Sequence, residues 1–103
     1  MALELPYDTA SGVNATNAYH RIENVDYRYS DGHSRVNFSV YLTAKLAGTG
    51  ADPLETYSTY FTMNTGVNKN IAVQAYEAVK TKSIVTDANG RQRNIDFSKA
   101  KDV

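Results

Sequence analysis

Apolar and polar residues alternate with period two from Arg35 to Leu46. Val36, Phe38, Val40, Leu42, Ala44 and Leu46 fall on one side; Arg35, Asn37, Ser39, Tyr41, Thr43 and Lys45 fall on the other. This alternation predicts a strand with one face on a core. Just upstream, Ser30-Asp31-Gly32-His33 places Asp31 and Gly32 at the centre of a two-residue hairpin turn, where both residues take positive φ. With that turn as the tip, Tyr27 opposes Val36 and Val25 opposes Phe38. The same register carried further would turn Ile22 away from the core. One extra residue near Glu23 and Asn24 restores the pattern, so that Ile22 opposes Val40, His20 opposes Leu42 and Ala18 opposes Ala44. A one-residue slip that returns apolar side chains to the core predicts a β-bulge.

The remaining chain reads as shorter elements. Leu3, Leu5 and Tyr7 alternate ahead of a turn at Thr9–Gly12, and Pro6 suits an edge position. A Gly-rich loop, Leu46 to Pro53, precedes another strand with Tyr57, Phe61 and Met63 on one face and Thr56, Ser58, Tyr60 and Thr62 on the other. Asn68 or Asn70 is placed to cap a helix. Its apolar arc is Ile71, Ala72, Ala75, Tyr76, Ala78 and Val79, with Gln74, Glu77 and Lys80 opposite. Val73 falls on the polar side, which the pattern does not explain. Asn89-Gly90 between two β-prone runs predicts a second hairpin, and the last six residues suit a short strand or a tail. The expected fold is α+β: a mainly antiparallel sheet (long hairpin 18–46 plus strand 55–63) with one packed α-helix near 70–80. Residues 1–103 are expected to form a single domain.

Length and charge narrow the function classes. A chain of 103 residues suits one domain with a real core. A formal charge of +0 supplies no global field toward nucleic acid or an anionic membrane. The absence of cysteine removes disulfides, thiolate metal sites and Cys nucleophiles. The first residues carry no signal-peptide pattern, and no apolar run reaches the roughly 18 residues of a membrane span. These features predict a soluble protein made in the cytoplasm.

No catalytic pattern emerges. His20 falls on the core face and His33 in a turn, at opposite ends of the hairpin, so a two-histidine metal site is not expected. Glu23, Asp26 and Asp31 lie close in sequence, but an exposed hairpin offers neither a cleft nor a carboxyl held protonated. Gly48-Thr49-Gly50 lacks the strand–loop–helix context and the Lys-Ser/Thr of a phosphate cradle. Asn14 and Asn37 begin N-x-S/T sequons, which matter only in a secreted eukaryotic protein. Catalytic residues, cofactor and metal are therefore all expected to be absent. Arg21, Arg28, Arg35 and the cluster Arg91–Arg93 are cationic, with tyrosines near several of them, but interleaved acids and zero net charge make nucleic acid an unfavoured partner. What remains is the outer sheet face, where Tyr41, Tyr60 and, beyond the bulge, Tyr19 point outwards among Thr and Ser, a composition that favours protein contacts. Tyr19, Tyr41 and Tyr60, with Gly48, Gly50 and Pro53 of the loop, are the expected interface residues.

Asn17–Val25 (NAYHRIENV), Asn70–Thr81 (NIAVQAYEAVKT) and the closing Asp102-Val103 resemble a group of small tail-module proteins of long-tailed bacteriophages. In many of them an Ala-Tyr-Glu helix leads almost directly to a Phe-containing segment and a terminal Asp-Val. Here Lys82–Asn94 looks like an inserted hairpin. The resemblance spans most of the chain and implies a virion structural protein, associated with the tail or baseplate and without an active site. It implies localisation in the virion after synthesis in the bacterial cytoplasm. The implied partners are virion protein subunits, identical copies among them, docked through sheet face or edges. Two other readings are a small single-stranded nucleic-acid-binding module using Arg21, Arg28 and Tyr27, and a phage protein that inhibits a host enzyme.

Overall fold

The phase switch at Glu23 is a β-bulge. In the computed structural model, which describes residues 2–9, 11–28, 33–64 and 70–103, strands β4 (Tyr19–Tyr27) and β5 (His33–Tyr41) pair antiparallel. Their register shifts between Ile22 and Asn24, leaving Glu23 as the extra residue. The partners differ from the expected ones by two positions: Ile22 opposes Phe38, His20 opposes Val40, Val25 opposes Val36 and Tyr27 opposes Ser34. An offset of two leaves every side chain on its expected face, because the pleat repeats every two residues. The Asp31-Gly32 turn that set the expected register lies outside the described residues.

Three short strands precede β4: β1 (Leu3–Glu4), β2 (Tyr7–Asp8) and β3 (Asn14–Ala15), the last two pairing as a small hairpin over the Thr9–Gly12 turn. After β5 the chain departs from the expected pattern. The strand ends at Tyr41, and Ala44–Ala47 form a one-turn helix, α1. The Thr43 side chain caps it, accepting from the Leu46 N–H at 3.3 Å. Leu42 and Leu46 are consequently exposed instead of lining the core. Ala-Lys-Leu-Ala is a run of strong helix formers behind a capping threonine, and those local preferences prevail over the alternation.

Strand β6 (Glu55–Thr62) pairs with β5, setting Tyr57 opposite Phe38 and Thr59 opposite Val36. Helix α2 (Ile71–Val79) follows, capped by Asn70, whose side chain accepts from the Val73 N–H at 2.9 Å; Asn68 is outside the described residues. Strands β7 (Ile84–Asp87) and β8 (Gln92–Asn94) form the expected second hairpin, with Gly90 at φ +79 completing its turn. A 3₁₀ turn at Phe97–Lys99 leads to β9 (Lys101–Asp102), which pairs with β1. The seven-stranded sheet runs β8-β7-β6-β5-β4-β1-β9, all neighbours antiparallel, and it curls around its core. The α+β architecture expected from the sequence is the one observed.

Rings fill the inside of the curl. Phe38 stacks on Tyr57 with centroids 5.2 Å apart, and Tyr76 of α2 meets Phe38 edge-on at 5.8 Å. Phe97 and His20 are wholly buried beside Tyr57. Tyr76 also serves the bulge: its hydroxyl accepts the Ile22 N–H at 3.0 Å. Gln74, expected on the polar side of the helix, is buried instead. Its amide accepts from the Asn64 N–H at 2.8 Å and donates to the Asn64 carbonyl at 3.0 Å, as a neighbouring strand would.

Deleting Glu23 tests the bulge. Asn24 and Ile22 already oppose Asn37 and Phe38, so the shortened strand continues in unbroken register with every face kept. The expected cost is about 1–3 kcal/mol, from the polar partners left unsatisfied by removing the Glu23 carboxylate. A urea titration followed by circular dichroism measures it. A deletion variant that cannot fold would show that the bend itself is required.

Candidate functional site

The bulge places Glu23 on the outer sheet face, where it organises a polar network. Arg21 donates to the Tyr41 hydroxyl at 2.9 Å and to the Glu23 carboxylate at 3.3 Å, and the Tyr41 hydroxyl donates to Glu23 at 3.2 Å. The Arg21 guanidinium lies over the Tyr41 ring, 5.0 Å from its centroid, and reaches the Ala47 carbonyl at 3.3 Å. Burial pushes the Glu23 carboxyl up, but hydrogen bonds from Ser39, Arg21 and Tyr41 and the Arg21 charge outweigh it and hold it below its ordinary value. Glu23 is therefore an ionised acceptor engaged by three donors, a poor general base.

The expected interface residues fare differently. Tyr41 does stand on the outer face, but under Arg21 it is only 5% exposed and offers a partner little surface. Tyr19, its neighbour across the strands, is half-buried. Tyr60 is 49% exposed. In the loop, Gly48 and Gly50 are exposed and Pro53 is half-buried; Gly50 takes φ +78, a conformation glycine adopts without strain. Arg21 is committed to Glu23 and Tyr41, so of the three residues of the nucleic-acid-binding alternative, Arg21, Arg28 and Tyr27, one belongs to that network.

Three leucines were missed as surface. Leu42, Leu46 and Leu54 are 41%, 38% and 37% exposed, all within the connection between β5 and β6. The Leu54 N–H donates to the Val40 carbonyl at 2.7 Å, so this connection begins and ends at adjacent strand ends. Pro53 and Leu54 also border a shallow concavity of about 260 Å³, which meets a second of about 230 Å³ at Thr56, Asp87 and Ala88. Leu46 in α1 and Leu42 just before its cap both continue the β5 alternation in the sequence, which hid them.

A second missed group closes the curl. Arg93 of β8 donates to Glu55 at 3.1 Å and to the Asp8 carbonyl, and its guanidinium lies 5.2 Å from the Tyr7 ring centroid. The Tyr7 hydroxyl donates to the same Glu55 oxygen at 2.7 Å. Burial, with the adjoining Glu55 bond and charge, pushes Tyr7 ionisation far up. This clasp joins residues distant in sequence, so no local pattern announces it.

The histidines occupy opposite ends of the hairpin. His20 is sealed in the core: its Nε2–H donates to the Leu5 carbonyl at 3.0 Å, leaving Nδ1 to accept from the Tyr57 hydroxyl at 2.8 Å. That arrangement needs the neutral ring, and burial lowers its pKa. His33 stacks on Tyr60, centroids 5.1 Å apart and planes 8° from parallel. Asp26 pairs with Arg35 at 3.3 Å, away from Glu23; Asp31 is outside the described residues. Among the described residues no group of three or more His, Asp or Glu is placed to hold a metal ion, and no helix is long and apolar enough to cross a membrane. No protein-family model, curated protein or solved structure matches the chain.

Proposed function

We propose that the chain is a structural subunit of a bacteriophage tail or baseplate, docking to neighbouring protein subunits through the 42–54 end of its sheet. The observation that carries this reading is the exposure of Leu42, Leu46 and Leu54 on one connection. Scattered exposed leucines are ordinary, but three on one short connection, with Leu54 bordering a concavity, favour a protein partner. The occupant is another copy of the chain or an adjoining virion protein, consistent with the tail-module resemblance of Asn17–Val25 and Asn70–Thr81. The docking surface thus moves from the outer tyrosines to the leucine connection, keeping the Gly48–Pro53 loop within it.

Light scattering on purified protein tests the proposal. An oligomer is expected, and the double change Leu46→Asp and Leu54→Asp should weaken assembly at least about a hundredfold. Burying a leucine is worth about 1.5–3 kcal/mol, and a carboxylate in its place adds a desolvation cost. Both leucines are exposed in the isolated chain, so the variant should melt as the parent does. A strict monomer at high concentration that also fails to co-purify with tail particles would overturn the reading.

A further inference from the structure

We infer that the middle of the outer sheet face binds a neutral saccharide chain laid across the strands. The register puts five uncharged hydrogen-bonding side chains in one row. Asn24 opposes Asn37, Asn37 opposes Ser58, Ser58 opposes Thr86 and Thr86 opposes Gln92. The row lies on the face away from the core, because Tyr57 and Val85, next along the chain from Ser58 and Thr86, are buried. Adjacent strands stand about 4.8 Å apart, so the row runs roughly 19 Å from β4 to β8. Its middle members, Asn37, Ser58 and Thr86, line the concavity of about 230 Å³ that also borders Glu23.

The groups in this row select the ligand. The Asn37 amide donates to the Asn24 side-chain oxygen at 2.8 Å, which fixes both amides and leaves a donor open on Asn24 and an acceptor open on Asn37. The Ser58 and Thr86 hydroxyls have no partner among the described residues. A sugar hydroxyl is both donor and acceptor, so a polyhydroxyl chain matches amides and hydroxyls set side by side. A phosphate backbone is mismatched: among the described residues lining the concavity none is basic, while Glu23 and Asp87 are acidic. A protein partner is mismatched too, because the row carries no aromatic or aliphatic side chain to bury. Tyr60, two residues from Ser58 on the same face, is half exposed and offers the negative face of its ring to sugar C–H groups at the margin. The row shares no residue with the leucine connection, so this inference stands independently of the docking proposal.

The test is isothermal titration calorimetry with cellohexaose, maltohexaose and N-acetylchitohexaose, and with oligothymidylate as a charged control. At least one of the sugars should bind, with an affinity that holds as salt is raised, because no counterion is released. Thr86→Val keeps the side-chain shape and removes the hydroxyl, so it should weaken that binding about tenfold. Valine suits a strand, and the variant should melt as the parent does. Ser58→Ala should weaken binding in the same direction and serves where Thr86→Val fails to fold. Absence of heat with all of the sugars at millimolar concentration would overturn the inference. So would parental affinity in both variants, or salt-sensitive binding of oligothymidylate in preference to the sugars.

Discussion

Phe38→Ala should cost about 3–5 kcal/mol and leave the domain barely folded at room temperature, read as the shift of its urea midpoint. Phe38 is wholly buried, stacked on Tyr57 and met edge-on by Tyr76 of α2. Truncation loses the transfer energy of the ring and leaves a cavity that flanking rings fill poorly. Domains of this size usually hold about 5–15 kcal/mol in total, so the loss is a large share. It also spreads, because Tyr57 supplies the hydroxyl that His20 accepts. Phe38→Leu, which keeps most of the apolar volume, should cost far less. A midpoint shift in Phe38→Ala equivalent to under about 1 kcal/mol would mean that the ring is not packed as described.

The bulge was legible because a strand's side-chain period is two. A one-residue slip moves Ile22 and His20 to the wrong face, and apolar patterning records the error. The two-residue register offset left no such trace, since it exchanges Val40 for Leu42 opposite His20 without changing a face. The end of β5 was misread for a related reason. Leu42, Ala44 and Leu46 continue the alternation, while the competing signal, Thr43 ahead of helix-forming residues, is local and short. Helix α2 was found by its apolar arc, but the burial of Gln74 depends on Asn64 presenting both backbone groups to it.

The same limit governs the candidate surfaces. Whether an outer-face tyrosine is exposed depends on its neighbours: Arg21 lies over Tyr41, whereas Tyr60 has His33 on one side and stands half in water. The Tyr7–Glu55–Arg93 clasp joins three separate strands, a pairing visible only once the sheet has curled. Sequence periodicity assigns faces; burial on those faces is decided by long side chains reaching across strands.

Acidification should destabilise the protein through His20 before any carboxylate with a shifted ionisation contributes. In the unfolded chain this histidine titrates at the ordinary value of 6.5; in the folded chain burial lowers it, the hydrogen bond to the Leu5 carbonyl opposing the shift only in part. Above 6.5 both states hold the neutral ring and stability is full. Below it the unfolded state takes up a proton that the folded state resists, so stability falls by up to about 1.4 kcal/mol per pH unit until the folded value is reached. Protonation would also force the Tyr57 hydroxyl, now the donor to Nδ1, to turn round and accept. Glu23 is held below its ordinary 4.5, so its contribution is lost only at lower pH. Urea midpoints at pH 7.5 and about 5.5 should therefore differ clearly in the parent protein. They should nearly coincide in His20→Gln, which retains one donor and one acceptor but does not titrate. His20→Ala, which strands both the Tyr57 hydroxyl and the Leu5 carbonyl, should cost about 3–5 kcal/mol even at neutral pH. Equal midpoints at both pH values in the parent would show that His20 is not sealed from solvent as a neutral ring.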